Sequence, residues 1–169
     1  SLLGDAVVGV VTGFVVLLPT LFEIGGKVDD SDMQLEIQSG IAIAGIVYGL
    51  FAFLSTFLRE LVKDMEDVNG DIQGNCKTIP IVLGINSAKG IAIFITIILF
   101  IQLALFVWFF PSIQVKYVAY IITFGLLLPL LLISVFIVVA KSAKQYYYAS
   151  NLIKLFMLLG ISTMLYFKG

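Results

Sequence analysis

Histidine is absent from the 169 residues, and cysteine occurs once, at Cys76. These two scarcities exclude an internal disulfide and any metal site built on Cys and His. Charge is also scarce: 12% of residues are charged and 60% are hydrophobic. A soluble domain carries roughly twice that charged fraction. The net charge is −1, and no basic patch of the kind nucleic acid requires is present, so nucleic acid is not an expected partner. The chain opens without an initiator Met, a charged n-region or a cleavage site, so Ser1 to Thr20 does not read as a signal peptide. It reads like a piece cut from a longer protein.

What the chain has instead is oil. Its mean hydropathy is +1.10. Uncharged runs cover Ala6 to Phe22, Ile41 to Leu58, Gly90 to Val115 and Tyr117 to Ala140, and a fifth, Gln145 to Phe167, is interrupted only by Lys154. A helix needs about 20 apolar residues to cross the hydrocarbon. Five transmembrane helices in one membrane domain, residues 1–169, are therefore expected. The runs are too continuous for the alternating strands of a barrel, and lipid tolerates only helices or closed barrels. The expected fold class is an all-α, multi-helix transmembrane bundle.

Expected helix limits are Gly4 to Phe22, Ile41 to Val68, Ala88 to Phe110, Val115 to Ala140 and Tyr146 to Tyr166. Ser31 or Asp32 is placed to cap a short helix leading into the second span. Asn69-Gly70 is a turn signal, and a loop is expected from there to Ser87. Gly125 and Pro129 predict a kink. Small residues (Gly9, Gly13, Gly40, Gly45 and Gly49, with Ala42, Ala44 and Ala52) predict close packing of the first two helices. Trp108, Phe109 and Phe110 at one end, and Tyr146, Tyr147 and Tyr148 at the other, are expected as interface anchors. Lys154 is expected to reach toward the near interface.

Alternation of the spans puts Arg59, Lys63, Lys77, Lys89, Lys141 and Lys144 on one side and Lys27, Lys116 and Lys168 on the other. That bias places the Asp-rich loop on the cytoplasmic side of an integral, multi-pass membrane protein.

The chemistry concentrates at the end of the second span. Arg59 to Asp71 holds two cations and five carboxylates. Glu60, Asp64, Asp67 and Asp71 are spaced four, three and four apart, so a continuing helix puts them on one side. Like charges on one side need compensation. Carboxylate oxygens suit a hard cation such as Mg²⁺, which retains waters and bridges to phosphate oxygens. Arg59, Lys63 and Lys77 flank the same stretch and suit a diphosphate. An EF-hand loop with Gly70 at its sixth position would need an acid where Met65 stands. No Gly-rich run precedes a Lys-Ser/Thr in P-loop spacing. The plainest account of the stretch is a solvated helix end with charges paired along it. The same composition also suits a membrane cation-binding or transport protein, or a structural membrane subunit whose acids only solubilise.

The string Arg59-Glu60-Leu61-Val62-Lys63-Asp64-Met65-Glu66-Asp67-Val68-Asn69-Gly70-Asp71, followed by Lys77-Thr78-Ile79-Pro80, resembles the second aspartate-rich motif of the UbiA superfamily of intramembrane prenyltransferases. The opening Leu2-Leu3-Gly4-Asp5, then Val11-Thr12-Gly13, resembles that family's fifth helix, with Asp5 where an Asn is frequent. The motif looks most like the branch that makes digeranylgeranylglyceryl phosphate, and the homogentisate branch has a related string. The resemblance implies helices five to nine of a nine-helix fold.

It further implies Mg²⁺-dependent transfer of a prenyl group from an isoprenyl diphosphate, such as geranylgeranyl diphosphate, to a lipid or aromatic acceptor. Asp67 and Asp71 would be the catalytic metal ligands, with Asp64 beside them. Lys63, Lys77 and Arg59 would contact the diphosphate, while Glu60 is placed to pair with Lys63 or Arg59. The family's first motif, Asn-Asp-x-x-Asp, is absent here. A missing N-terminal half is thus an expected partner, beside the donor, the acceptor and the lipid bilayer, and this polypeptide alone is expected to be inactive.

Overall fold

A computed structural model describes residues 2–25, 32–109 and 123–163. Helices α1 (Leu2–Gly25) and α2 (Asp32–Glu66) come first. Two short helices, α3 (Val68–Gln73) and α4 (Ile79–Leu83), lead into α5 (Ile85–Phe109). A π-helical segment (Thr123–Leu127) runs into α6 (Leu128–Val139), and α7 (Ala143–Ser162) closes the described chain. There is no strand among the described residues. The all-α class is as expected.

Several boundaries differ from the sequence reading, each for a local reason. α2 begins at Asp32 rather than Ile41. No proline interrupts 32–66, and Gly40 alone does not stop a helix whose neighbours favour it. The expected loop from Asn69 onward is largely helical. Pro80 sits in the first turn of α4, where its missing N–H costs nothing. Gly84 then ends that helix with φ +84°, a conformation that suits glycine. The expected kink near Gly125 and Pro129 is a π turn containing Gly125, followed by Pro129 in the first turn of α6.

α1 runs antiparallel along α2. A Cβ on Gly13 would lie 3.1 Å from the Gly49 carbonyl oxygen, and one on Gly9 would lie 3.1 Å from the Phe53 ring. Small residues thus bring the two backbones together, the usual solution where lipid supplies no hydrophobic drive between helices. The opposite side of α2 packs on α5 and α7, and α6 packs on both of these. Leu58, Val62, Leu99, Ile133, Ile153 and Phe156 are fully buried there. Two polar links cross the bundle. Gln102 Nε2 donates to the Val47 carbonyl at 2.6 Å, and the Tyr48 and Thr163 hydroxyls lie 3.0 Å apart.

The outer surface is apolar. Gly40–Glu66 and Ile85–Phe106 are long and apolar enough to cross a membrane, yet only 33% of each apolar window is buried. Phe94, Ile97, Leu131 and Val135 stand more than half exposed. Such a surface suits lipid and not water. Of the five expected spans, these two meet the length criterion among the described residues. The apolar stretches Ala6–Phe22 and Phe124–Val139 are shorter. Phe110 and residues 111–122 lie outside the described residues, as do Lys27, Lys116 and Lys168.

The polar end is closed by specific bonds. Lys89 Nζ donates to the carbonyls of Val138, at 3.1 Å, and Ala140, at 2.5 Å, satisfying the end of α6. Gln145 Oε1 accepts from the N–H groups of Lys141 and Ser142 at the start of α7. Tyr146, expected as an interface anchor, is buried here. Its hydroxyl donates to the Ala140 carbonyl, and its ring lies under the Lys89 ammonium. Tyr147 and Tyr148 are half exposed, as anchors would be.

Gly160 of α7 faces Phe51 of α2, where an added Cβ would fall inside the van der Waals surface of the ring. That ring is itself held against Phe156, with centroids 5.2 Å apart. Gly160→Val is expected to overpack this contact and destabilise the bundle by about 1–3 kcal/mol. Thermal unfolding in detergent checks this, and an unchanged midpoint would mean that α2 and α7 do not meet here.

Candidate active site

The rotation of α2 decides where its acids stand. Leu58, Leu61, Val62 and Met65 are buried against the bundle. At about 100° per residue, Glu60, Asp64 and Asp67 fall on the other side. The same side, further down, carries Gly49 and Phe53, which α1 covers. In that antiparallel register the start of α1 lies level with Glu60, and Asp5 level with Phe57. The acids from Asp64 onward extend past α1.

Helix α2 bends at Asp67 (φ −93°, ψ 8°) and resumes as α3. The bend keeps the helical ladder. The Asp67 N–H donates to the Lys63 carbonyl at 3.0 Å, and the Asp67 carbonyl accepts from Gly70 and Asp71, each at 2.9 Å. Asp67 and Asp71 therefore stand on successive turns, as the spacing predicts, and Asn69-Gly70 is a turn of helix and not a chain reversal. Asp64 and Asp71 are half-buried, while Asp67 and Lys63 are exposed.

The reversal comes later. Asn75 takes a left-handed conformation, φ 54°, and the Cys76 N–H donates to the Asp71 carbonyl at 2.9 Å. Lys77, exposed, follows immediately and is held beside the Asp71 turn. Thr78, Ile79 and Pro80 are buried behind it. The Thr78 hydroxyl has no hydrogen-bond partner among the described residues. The sequence reading did not single out Thr78, and the Lys-Thr-x-Pro string was the available signal. Cys76 is an exposed loop thiol, as expected.

Arg59 and Glu60 form an ion pair, so Glu60 is engaged by Arg59 and not by Lys63. Lys154 on α7 is bonded to Asn151 Oδ1 at 3.1 Å and lies within electrostatic reach of Glu66. It therefore sits at the same end of the bundle as the acids.

Among the described residues, no three Asp, Glu, Cys or His side chains converge into a set that would hold a metal ion. The donors are nonetheless of the right kind for a hard cation: oxygen only, carboxylate, and partly exposed. Asp64, Asp67 and Asp71 lie along successive turns, and one oxygen of Asp64 is buried.

The chain matches the UbiA prenyltransferase family over residues 1–160. Similar proteins include the digeranylgeranylglyceryl phosphate synthases of three archaea. That of Methanosphaera stadtmanae is 43% identical over 54 residues, which cover 32% of this chain and 20% of that protein. That of Thermococcus gammatolerans is 46% identical over 54 residues, 32% and 19% of the two chains. That of Methanothermobacter thermautotrophicus is 50% identical over 48 residues, 28% and 17%. The matched segment thus spans about a fifth of these relatives. No solved structure matches. The match along nearly the whole chain makes this chain a member of the UbiA prenyltransferase family.

Proposed function

We propose that this chain supplies the second acidic motif of a Mg²⁺-dependent prenyltransferase, in the manner of helices five to nine of a nine-helix bundle. The observation that carries the reading is the helix end itself. Carboxylates recur on successive turns of the helix that carries Lys63, and a reversal bonded through the Cys76 N–H and the Asp71 carbonyl leads directly into Lys77. Acids for a metal and bases for phosphate oxygens are what an isoprenyl diphosphate requires.

In this reading Asp67 and Asp71, with Asp64, hold Mg²⁺, and Lys63 and Lys77 grip diphosphate oxygens. Arg59 acts mainly through Glu60, its ion-pair partner. When bound, Mg²⁺ supplies charge neutralisation at the diphosphate leaving group. The C–O bond of the donor breaks, and its electron pair leaves with the diphosphate. The allylic cation is captured by an oxygen or ring carbon of the acceptor, which loses a proton. The apolar bundle excludes the water that would otherwise quench the cation. The acceptor fits a glycerol-phosphate lipid, by likeness to the named relatives, and an aromatic ring is the second choice. The six-to-three cation bias supports a cytoplasmic position for the acids. The Asn-Asp-x-x-Asp string absent from the sequence comes from another segment, without which this polypeptide is inactive.

The test is prenyl transfer in the parent membrane protein, using labelled geranylgeranyl diphosphate, Mg²⁺ and a panel of acceptors. Asp67→Ala and Asp71→Ala are each expected to lower turnover at least about a hundredfold, with membrane insertion intact. Wild-type rates in both would overturn the site and favour a cation-binding or structural role. Lys77→Ala removes a charge-assisted bond worth about 1.5–3 kcal/mol. It should raise the KM for donor about tenfold or more and leave acceptor preference unchanged. A shift in acceptor preference alone would reassign that lysine.

A further inference from the structure

Two cavities lie along α5 and α6, and neither is lined by Asp64, Asp67 or Asp71. The first is a polar cleft of about 510 Å³ at the charged end of the bundle. The end of α2, the start of α5 and the α6–α7 turn wall it, and Glu66, Asn69, Asn86, Lys89 and Lys141 supply polar groups. The second is an apolar groove of about 270 Å³ between α5 and α6, lined by residues that include Ile93, Ile97, Phe100, Leu131 and Ser134. Lys89, Ile93, Ile97 and Phe100 recur every three or four residues and form one stripe of α5. The groove and the cleft therefore follow one stripe of α5, with no lining residue in common. Lys89 and Phe100 are eleven residues apart, about 16 Å along the helix. That is about half the hydrocarbon thickness of roughly 30 Å, the depth of one leaflet.

The cleft is not the acidic site. Met65, Glu66, Val68 and Asn69 of α2 and α3 line it, and Asp64, Asp67 and Asp71 do not. Asp67 itself is exposed and is not among the lining residues, although its charge reaches Glu66. Two cations line the cleft against one acid, Glu66, which Lys63 and Lys154 also attract. Lys89 spends two of its three N–H donors on the Val138 and Ala140 carbonyls, which fixes its charge in place and leaves one donor. Lys141 is exposed, and so is Lys144 in the next turn. Below them Ile97, Phe100 and Leu131 are 51%, 41% and 57% exposed, so the groove opens to the lipid-facing surface.

We propose that the cleft and groove together bind an anionic membrane phospholipid, its phosphate beside Lys89 and Lys141 and one chain along Ile93 to Phe100. Both parts are needed for the assignment. A basic cleft alone fits any anion, and an apolar groove alone fits any chain. The proposal does not rest on the prenyl-transfer reading.

The experiment uses the parent membrane protein, purified, delipidated in detergent and titrated with phosphatidylglycerol, phosphatidylcholine or inorganic phosphate. Bound lipid is read by native mass spectrometry, and stability by thermal unfolding. Phosphatidylglycerol is expected to bind at least about fivefold more tightly than phosphatidylcholine and to raise the unfolding midpoint, because its charge is uncompensated. Lys141→Glu, an exposed substitution that leaves the fold intact, should remove that preference. Ser134→Trp, which fills the groove, should weaken both lipids. Asp67→Ala should leave phosphatidylglycerol binding unchanged, whatever it does to prenyl transfer. Equal binding of the two lipids, or a preference that survives Lys141→Glu, would overturn the proposal. So would displacement of phosphatidylglycerol by millimolar inorganic phosphate, which would make this a site for a free anion. Should Ser134→Trp fail to fold, the Lys141→Glu comparison decides alone.

Discussion

The burial of Leu58, Leu61, Val62 and Met65 against the bundle fixes the rotation of α2, and everything at the charged end follows from that rotation. A helix has one phase. Once these four side chains point inward, Glu60, Asp64 and Asp67 point away. Turning α2 by half a revolution would bury three carboxylates in an apolar core, where an ionised group without a partner costs many kcal/mol. Asp67 is exposed on that side, while Glu60 is largely buried in its ion pair with Arg59 and Asp64 is half-buried.

The second constraint comes from the other side of α2. Gly13 and Gly49 let α1 approach until backbone nearly touches backbone. In lipid this approach rests on dispersion and shape, since hydrocarbon outside the bundle is as apolar as the residues within. The polar end needs different devices, because backbone groups there meet water or nothing. Lys89 closes the end of α6, Gln145 closes the start of α7, and Tyr146 spans between them. One end of the bundle is thus tied by hydrogen bonds while its middle is held by packing.

Much of this was legible in the sequence, and the reason is physical. Long uncharged runs admit few structures in a bilayer, so the helices and the charged end could be read directly. The four-three-four spacing of Glu60, Asp64, Asp67 and Asp71 has only one meaning on a helix. The glycine pairs foretold the α1–α2 contact for the same reason. What escaped was tertiary. Asn69-Gly70 has the composition of a turn, yet the ladder from Asp67 carries the helix through it. Tyr146 reads as an anchor like its two neighbours until the Ala140 carbonyl and Lys89 claim it. The line of Lys89, Ile93, Ile97 and Phe100 above Ser134 required knowing that α5 and α6 are neighbours. The family resemblance reached the motif but could not say how Lys77 returns to it.

That return is the step by which local structure bears on ligand binding. A flexible loop between Asp71 and Lys77 would leave the lysine free, and any ligand would have to order it at an entropic cost. Here the Cys76 N–H is bonded to the Asp71 carbonyl, and Thr78, Ile79 and Pro80 are buried behind Lys77. The backbone of the lysine is placed before any ligand arrives. Its side chain remains exposed and able to change rotamer. The acidic turns and the segment carrying Lys77 are thus joined by one backbone bond, with exposed side chains at Asp67 and Lys77. Such an arrangement can meet a multiply charged ligand at several points while ordering little beyond side chains. An isolated acidic helix end lacks this property, because its carboxylates repel one another and no cation is held beside them. In the proposed site, the buried Thr78-Ile79-Pro80 segment would bear on binding without touching a ligand, by limiting how much ordering the site still requires.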